Sequence, residues 1–249
     1  MRIDIMTLFP DAVATMLNSS IIGRALDRGY ASAYCHDIRD YTLNRQKQVD
    51  DYPYGGGEGV VIQADPLYNC WHAVCDMGAG AVHTVYMTPQ GRPFRQEDAC
   101  RLAQYGRLIL VCGHYEGIDE RFIEECVDEE ISMGDFVLTG GEIPALAVCD
   151  AVLRLLPGVL AGEASYTGES HWDGLLEYPQ YSRPESWHGR DVPEVLLSGD
   201  HRQVARWRRG EQLKRTRAKR PDMFRLHEPT RLDLELLDEI DGEQQTVNS

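Results

Sequence analysis

Three glycine-rich segments stand out in the sequence: TPQGRPF at 88–94, GHYEGIDER at 113–121 and MGDFVLTGGEIPA at 133–145. Each closes a strongly apolar stretch that is typical of a β-strand. Glycine has no Cβ and tolerates positive φ, so a ligand can approach the backbone of such a turn closely. Ligands of α/β proteins bind at the carboxyl ends of the strands. The three turns therefore predict one composite pocket for a nucleoside-like ligand, read mainly by backbone N–H and C=O groups.

The apolar stretches before these turns belong to a longer alternation of strand-like and helix-like segments. Strands are predicted at residues 2–9, 33–38, 60–63, 82–87, 108–112 and 136–138. Helices are predicted at residues 11–28, 65–77, 95–105, 118–126 and 144–156. The predicted fold class is therefore α/β, with a mainly parallel sheet and helices on both faces.

The pattern changes after residue 160, where the α/β domain formed by residues 1–160 is predicted to end. Residues 161–176, AGEASYTGESHWDGLL, are small and polar with few apolar positions, which favours a flexible linker. Residues 177–249 are predicted to form a small α-helical domain, with helical propensity concentrated at 193–238. The final segment, GEQQTVNS, is predicted to be a disordered tail.

The charge of the chain is unevenly placed along the sequence. The formal net charge is −15, yet residues 201–220 carry nine cations and a single acid, Glu211. Such a basic element on an acidic body is a candidate for binding the phosphates of a nucleic acid. The alternative is a solvated helix face whose cations form ion pairs, and the sequence leaves both interpretations open.

Cysteine and histidine usage argues against a disulfide framework or a zinc site. The seven cysteines form no CxxC pair, and several lie in apolar segments, as buried thiols do. The His-x-Glu of GHYEG has no Pro-Cys-x-x-Cys partner, so a zinc deaminase is not predicted. No apolar run approaches the length of a membrane span, and the N-terminus MRIDIMTLF has an acid in the apolar region of a signal peptide. A cytoplasmic location is expected.

Several residues could take part in chemistry, and each has a plain structural alternative. YGGGEG at 54–59 lacks the Lys-Ser/Thr of a Walker loop, and is either an anion-binding nest or a loose loop. Arg154 either pairs with the acid four residues before it or projects into the pocket mouth. Glu169 is either a solvated linker acid or a functional carboxylate. Glu116 either contacts a bound base or pairs with Arg121.

Taken in order, the segments resemble the bacterial tRNA (guanine-37-N1)-methyltransferases, the TrmD family of the SPOUT methyltransferases. The resemblance extends to about Phe224 and is carried by MRIDIMTLFP, YGGGEGVV, TPQGRPF, VCGHYEGIDER, MGDFVLTGGEIPA, LRLLPGVL, EASYTGES, GLLEYPQYSRP, VPEVLLSGDH, RWRR and LKRTRAKRPD. It implies a trefoil knot in the C-terminal part of the α/β domain, an exception to the usual absence of knots. It also implies a helical C-terminal domain and a homodimer with its active site where the protomers meet.

The resemblance implies S-adenosyl-L-methionine as the co-substrate, bound in the knot. The residues implied to hold it are Met87, Thr88, Pro89, Gly113, Met133, Gly134, Asp135, Phe136, Val137, Leu138, Gly140, Gly141 and Pro144. This agrees with the pocket predicted from the three glycine-rich turns. A requirement for Mg²⁺ is also implied, although no ligand for that ion can be named from the sequence.

The same resemblance implies two catalytic residues. Guanine N1 carries a proton at neutral pH, so a positioned base must remove it as the methyl group arrives. Negative charge then develops on O6, where a cation stabilises it best if water is excluded. The family pattern assigns the base to Glu169 and the cation to Arg154. Here the sequence departs from that pattern, because the family has aspartate in place of Glu169 and phenylalanine in place of His171. His171 is a second candidate base.

The substrate implied is a tRNA with guanosine at positions 36 and 37, whose target base leaves its stack in the anticodon loop. Glu116 is expected beside the flipped guanine. The phosphate contacts are assigned to Arg202, Arg206, Arg208, Arg209, Lys214 and Arg215. Two other readings stay open: a catalytically impaired dimer that binds S-adenosylmethionine and RNA, and a structural or ligand-sensing dimer that binds no RNA.

Overall fold

The structure is a computed structural model that describes residues 1–247, and the side chains of these except Ala164 and residues 243–247. The chain divides into two compact units. The first comprises Met1–Gly162, and the second begins at Glu163. The predicted linker 161–176 thus lies almost wholly in the second unit, although its flexibility stays a prediction.

A five-stranded sheet organises the first unit. The strands of this unit are β1 Arg2–Thr7, β2 Ser32–Asp37, β3 Asp50–Asp51, β4 Val61–Ile62, β5 His83–Pro93, β6 Arg107–Cys112 and β7 Glu129–Ser132. The main sheet has the order β2-β1-β6-β5-β7, and all four of its strand pairs are parallel. β3 and β4 form a separate antiparallel pair. The predicted α/β class with a mainly parallel sheet is confirmed.

Helices cover both faces of this sheet. The helices of the first unit are α1 Pro10–Leu17, α2 Ser20–Asp27, α3 Ala64–Asp76, α4 Gln96–Leu102, α5 Glu120–Cys126 and α6 Glu142–Leu153. Alternate strand residues point to opposite faces. Leu108 and Leu110 of β6 accordingly pack with α1, α2, α4 and α6, whereas Ile109 and Val111 pack with α3 and α5. All four side chains are fully buried, which explains why consecutive residues of β6 are apolar.

Two of the predicted elements differ in the structure. The single helix predicted at 11–28 is two helices, because the chain turns at Asn18 and Ser19 and Ser20 has a φ of 54°. Gly23 permits this turn, since a Cβ there would collide with the backbone carbonyl of Asn18. The strand predicted at 136–138 is wrong. The strand in this region is β7, whose acidic residues hide its β character in the sequence.

The second unit contains the remaining elements. They are α7 Ala164–Thr167, β8 Ser186–Trp187, β9 Arg190–Asp191, α8 Glu194–Leu197, α9 His201–Lys219, α10 Pro221–Leu226 and α11 Arg231–Val247. Its core consists of buried Leu175, Leu213, Leu236 and Ile240. The predicted disordered tail begins at Gly242, but α11 extends to Val247, and Asn248 and Ser249 lie outside the described residues.

Candidate active site

The three glycine-rich segments surround one cavity of about 230 Å³, which lies at the carboxyl ends of β6 and β7 and at the middle of β5. Of the thirteen residues predicted to hold the co-substrate, eleven line this cavity: Met87, Thr88, Pro89, Gly113, Met133, Phe136, Val137, Leu138, Gly140, Gly141 and Pro144. Gly134 and Asp135 belong to the same loop but do not line the cavity. The structure therefore brings the three turns together, as their shared position after strands predicts.

A bulge in β5 presents the first turn to the cavity. Ile131 of β7 is the register partner of both Met87 and Arg92, so the residues between them leave the ladder. The bulge requires a residue without a side chain at position 91. A Cβ on Gly91 would lie 2.5 Å from the backbone nitrogen of Ile131. Thr88 and Pro89 lie in this bulge of β5 and line the cavity.

The second and third turns are joined by backbone contacts. Gly141 N–H donates a hydrogen bond of 2.9 Å to the carbonyl oxygen of Gly113, and His114 forms an antiparallel bridge with Gly140. A Cβ on Gly141 would lie 2.7 Å from the Cα of Cys112. The two turns can approach this closely only because glycine occupies that position. α6 begins at the next residue, Glu142.

Glu116 connects the YGGGEG loop to the cavity. Its side chain packs against Gly59, which has a φ of 87°, and its N–H donates to the carbonyl oxygen of Val60 over 3.1 Å. Glu116 lines the cavity and is exposed to solvent. Arg121 instead pairs with Asp119 at 2.6 Å. Glu116 is thus placed toward the cavity, and the alternative that it pairs with Arg121 is wrong.

Other charged and polar groups of the cavity lie next to the predicted ones. The sequence did not single out Tyr86, Glu120, Glu130 or Ser132, which also line it. Burial raises the pKa of Tyr86 to about 12, and a hydrogen bond with Thr88 opposes that shift only in part. The Tyr86 hydroxyl is therefore neutral at physiological pH. Glu130 and Ser132 could have been found only by recognising β7, because that strand carries them to the cavity.

The two predicted catalytic residues lie in different units. Arg154 follows the last residue of α6, is half-buried, and donates its backbone N–H to the carbonyl oxygen of Asp150 over 3.1 Å. Glu169 is half-buried two residues after α7, and its N–H donates to the carbonyl oxygen of Tyr166 over 3.2 Å. His171 is exposed and has a φ of 74°. Neither Arg154 nor Glu169 lines the cavity described above.

The basic stretch forms α9 and separates into two groups of cations. One group forms ion pairs within the second unit: Arg206 with Glu239, Arg209 with Asp173 and Asp233, Lys214 with Glu211, and Arg217 with Asp241. Among the described side chains, no ion pair involves the other group, Arg202, Arg208 and Arg215. The ion-pair interpretation is therefore confirmed for the paired group, whose partners come mainly from α11, and phosphate binding by the stretch stays a prediction.

Arg209 is half-buried and forms ion pairs that join parts of the second unit. Only 19% of its side chain is exposed, and its Nε donates to Asp233 over 2.6 Å. Burial favours the neutral form of the Asp233 carboxyl, but hydrogen bonds from Arg209 and Thr230 outweigh this and hold its pKa below the usual range. The guanidinium of Arg209 is thus committed to joining α9 to the start of α11.

Neither a metal cluster nor a membrane span is found in the part of the chain that the structure describes. No three His, Cys, Asp or Glu side chains among these residues are arranged to hold a metal ion. No helix among them combines the length and the apolar character needed to cross a bilayer.

Comparison with known proteins relates the whole cavity-bearing unit to one family. The family model described as tRNA (Guanine-1)-methyltransferase TrmD matches residues 1–226. A tRNA (guanine-N(1)-)-methyltransferase of Ruminiclostridium cellulolyticum is 51% identical over 224 residues, covering 90% of this chain and 96% of the relative. Proteins of the same name from Desulforudis audaxviator and Staphylococcus epidermidis are 51% and 48% identical, with 96% of each chain covered.

The match spans both units and includes all three glycine-rich turns, the Arg154 and Glu169 positions, and the whole of α9. Identity near one half over almost the full length of chain and relative is far beyond what a shared fold alone requires. The chain belongs to the TrmD family of tRNA (guanine-1)-methyltransferases.

Proposed function

We propose that this protein transfers the methyl group of S-adenosylmethionine to N1 of guanosine 37 in the anticodon loop of tRNA. The observation that supports this proposal most strongly is that three separate glycine-rich turns of a TrmD-family chain line one cavity. The relatives are named for methyl transfer to guanine N1 in tRNA. An enzyme with that activity needs a site for a nucleoside-like methyl donor, and this cavity has the position and the backbone lining for one.

The residues present fit S-adenosylmethionine. Gly113, Gly140 and Gly141 line the cavity and have no side chain that would block an adenine or ribose. Leu138 and Pro144 add apolar surface against which a base can pack. S-adenosylmethionine, when bound, supplies a methyl group on a positively charged sulfur. Carboxylates at the cavity, such as Glu130, favour a cation there. The proposed set is the thirteen residues named above, including Gly134 and Asp135 of the same loop.

A trefoil knot is proposed for the segment that closes this cavity. The chain leaves β7, runs through residues 133–141 and returns against Gly113 before entering α6. The contacts of Gly141 with Cys112 and Gly113 support a close crossing of two chain segments at that point. Such a crossing costs little when glycine removes the side chain.

Catalysis is assigned to Glu169 and Arg154. The Glu169 carboxylate accepts the proton of guanine N1, and the electron pair of the former N–H bond is shared with O6, where the Arg154 guanidinium stabilises the negative charge. N1 then forms its bond to the methyl carbon with that electron pair, while the methyl–sulfur bond breaks and its electrons leave on the sulfur of S-adenosylhomocysteine. Glutamate retains the charge and proton affinity of the family's aspartate, with one more methylene. His171 is the alternative proton acceptor. A requirement for Mg²⁺ is also proposed, with no ligand assigned to it.

The tRNA is proposed to bind through the unpaired cations of α9, principally Arg202, Arg208 and Arg215. Arg206 and Lys214 would have to exchange their carboxylate partners for phosphates. Arg209 supports the helix instead of the RNA, because its partners Asp173 and Asp233 hold it in place. Glu116 is proposed beside the flipped guanine, and guanosine 36 as part of the recognition. A cytoplasmic location is proposed along with the tRNA substrate.

A homodimer is proposed from the apolar surface beside the cavity. Phe136 and Val137 are 56% and 80% exposed, and Ile143 at the start of α6 is also exposed. A cluster of this kind at the rim of a binding site is typical of a surface covered by a partner. A second copy of the chain would cover it and complete the site.

The Glu169 assignment is tested by substitution within the full chain. Glu169→Ala should reduce single-turnover methyl transfer by about 100-fold or more, because the proton of N1 then has no acceptor, and should leave the dissociation constant of S-adenosylmethionine unchanged. Glu163→Ala removes an exposed carboxylate from the same segment and is the matched control. Wild-type transfer by Glu169→Ala would refute the assignment and make His171→Ala the next variant. Tight binding of both ligands by the wild type without transfer would favour the catalytically impaired alternative.

A further inference from the structure

The second unit contains a pocket of which the proposed function uses only one residue, Arg208. It has a volume of about 350 Å³ and is lined by the YPQYSR segment at 178–183, by residues between β9 and α9, and by Val204 and Arg208 of α9. This is the Tyr178 pocket. YPQYSRP is one of the motifs that carry the family resemblance, yet neither the co-substrate cavity nor the catalytic pair includes it.

The rim of the Tyr178 pocket combines aromatic rings with cations. The guanidinium of Arg208 lies over the ring of Tyr178, 4.6 Å from its centroid. The Tyr181 ring is 48% exposed and lies 6.4 Å from that of Trp207. The interior is aliphatic, through residues such as Val192 and Val204. One open aromatic face beside a stacked guanidinium is the arrangement on which nucleobases stack in single-stranded RNA.

The charges of this pocket differ from those of the rest of α9. Arg206, Arg209 and Arg217 face α11 and its acids, whereas Arg208 and Arg183 form no ion pair with any side chain that the structure describes. Two uncompensated guanidinium groups thus border a pocket in a protein of net charge −15. Glu185 also lines the pocket. Its carboxylate can accept a hydrogen bond from the exocyclic amino group of a base.

We propose that the Tyr178 pocket binds an unpaired nucleotide of the tRNA other than the target guanosine, with its base on Tyr181 and its phosphate on Arg183 and Arg208. This subsite rests on the proposed function, since it presumes a tRNA substrate. It adds a contact of the RNA with the second unit, through residues that do not line the methyl-transfer cavity. The two cations alone would be enough to bind a phosphate. The exposed ring and the aliphatic interior favour a nucleobase in addition.

The test measures the affinity of a tRNA transcript for full-length protein, together with steady-state kcat and KM for methyl transfer. Tyr181→Leu removes the aromatic face from an exposed position and keeps an apolar side chain, so folding is preserved. Because base–aromatic stacking is worth about tenfold or more in affinity, Kd and KM should rise by about tenfold while kcat stays within about twofold. Tyr181→Phe keeps the ring and should restore wild-type values.

Two controls separate stacking from general effects. Trp187→Ala removes an exposed aromatic ring that does not line the pocket, and should change neither constant. Arg208→Gln should weaken binding and reduce its salt dependence, because one phosphate contact is lost. Arg231→Gln removes an exposed cation from α11 and should change neither the affinity for tRNA nor its salt dependence.

The outcomes distinguish this subsite from the proposed function. If the wild type methylates tRNA but Tyr181→Leu binds it within about twofold of the wild type, the subsite is wrong and the function stands. If Tyr181→Phe is as weak as Tyr181→Leu, stacking is also refuted. If tRNA binding depends on the Tyr181 ring but no methylated product forms, the subsite stands and the function fails. A wild type that binds no tRNA overturns both.

Discussion

The backbone N–H of Gly141 donates a 2.9 Å hydrogen bond to the carbonyl oxygen of Gly113, and this bond joins two turns that are far apart in the sequence. One turn follows β6 and the other precedes α6. With the bulged turn after Met87, they form the lining of the candidate active site. The cavity therefore depends on a close approach of two backbones that side chains would prevent.

Gly141→Ala should damage this cavity. The added Cβ would lie 2.7 Å from Cys112 Cα and 3.1 Å from Gly113 N, atoms of a fully buried strand end that cannot move aside. We expect a loss of about 1–3 kcal/mol in the free energy of unfolding, as for other overpacked sites. The dissociation constant of S-adenosylmethionine, measured by calorimetry, should rise by about tenfold or more, because the added methyl group displaces the two turns that line the cavity.

Gly106→Ala is the control for that substitution. A Cβ at Gly106 meets no atom within 4 Å, although this glycine also lies next to β6. Its unfolding free energy and its affinity for S-adenosylmethionine should match those of the wild type. Wild-type affinity in Gly141→Ala itself would show that the two turns do not need this contact to form the site.

Asp233→Asn should destabilise the second unit. The Asp233 carboxylate is fully buried and accepts hydrogen bonds from Arg209 and from Thr230 N–H at the start of α11. Removing one partner of a buried pair costs about 3 kcal/mol or more. Urea unfolding followed by tryptophan fluorescence reports this, because three of the four tryptophans follow Glu163. Asp238→Asn, an exposed acid of the same helix, should have no effect.

The same carboxylate predicts a pH dependence of stability. The pKa of Asp233 is lower in the folded protein than its ordinary value, so the folded state is favoured at any pH above the unfolded pKa of about 3.9. This contribution should decline as the pH falls below about 4, where the unfolded chain takes up a proton that the folded one does not. Asp233→Asn should flatten that part of the stability profile. An unchanged profile would contradict the assignment of the ion pair.

Cys100 should be the fastest thiol to react with iodoacetamide in the native protein. It is half-buried on α4, whereas burial raises the pKa of Cys75, brings that of Cys35 and of Cys126 to about 11, and raises that of Cys70, Cys112 and Cys149 further. The thiolate is the reactive species, so these thiols react slowly near pH 8. Mass spectrometry of the labelled protein measures this. Cys100→Ser should abolish the fast phase, and urea should expose the remaining thiols. Fast labelling of Cys112 would contradict the buried strand end behind Gly113.

The sequence alone predicted that the three glycine-rich turns line one cavity, because part of the signal is local. GHYEGIDER follows the apolar strand β6, and the chain segments at the carboxyl ends of parallel strands lie at one edge of the sheet. β7 was not predicted from the sequence, because the acidic residues Glu129 and Glu130 interrupt the apolar pattern that is typical of a buried strand. Glu129 is accommodated by His83, Arg92 and Arg101, which come from other parts of the chain. Such long-range compensation leaves no local pattern.

The two alternatives for the basic stretch could not be separated from the sequence for the same reason. Helical spacing shows which cations share a face, but not which face meets the acids. Their acidic partners lie outside α9: Asp233, Glu239 and Asp241 on α11, and Asp173 between α7 and β8. Only tertiary packing pairs these acids with Arg206, Arg209 and Arg217. Arg208 is distinguished from these by its ring partner, Tyr178, which is thirty residues away in the sequence.

The proposed activity is tested most directly by locating the transferred methyl group. Full-length protein is incubated with isotope-labelled S-adenosylmethionine and an anticodon stem-loop that carries guanosine at positions 36 and 37, and the digested RNA is analysed by mass spectrometry. We predict 1-methylguanosine at position 37 and at no other position. Methylation of another atom or nucleotide, or no product while both ligands bind, would contradict the proposed reaction.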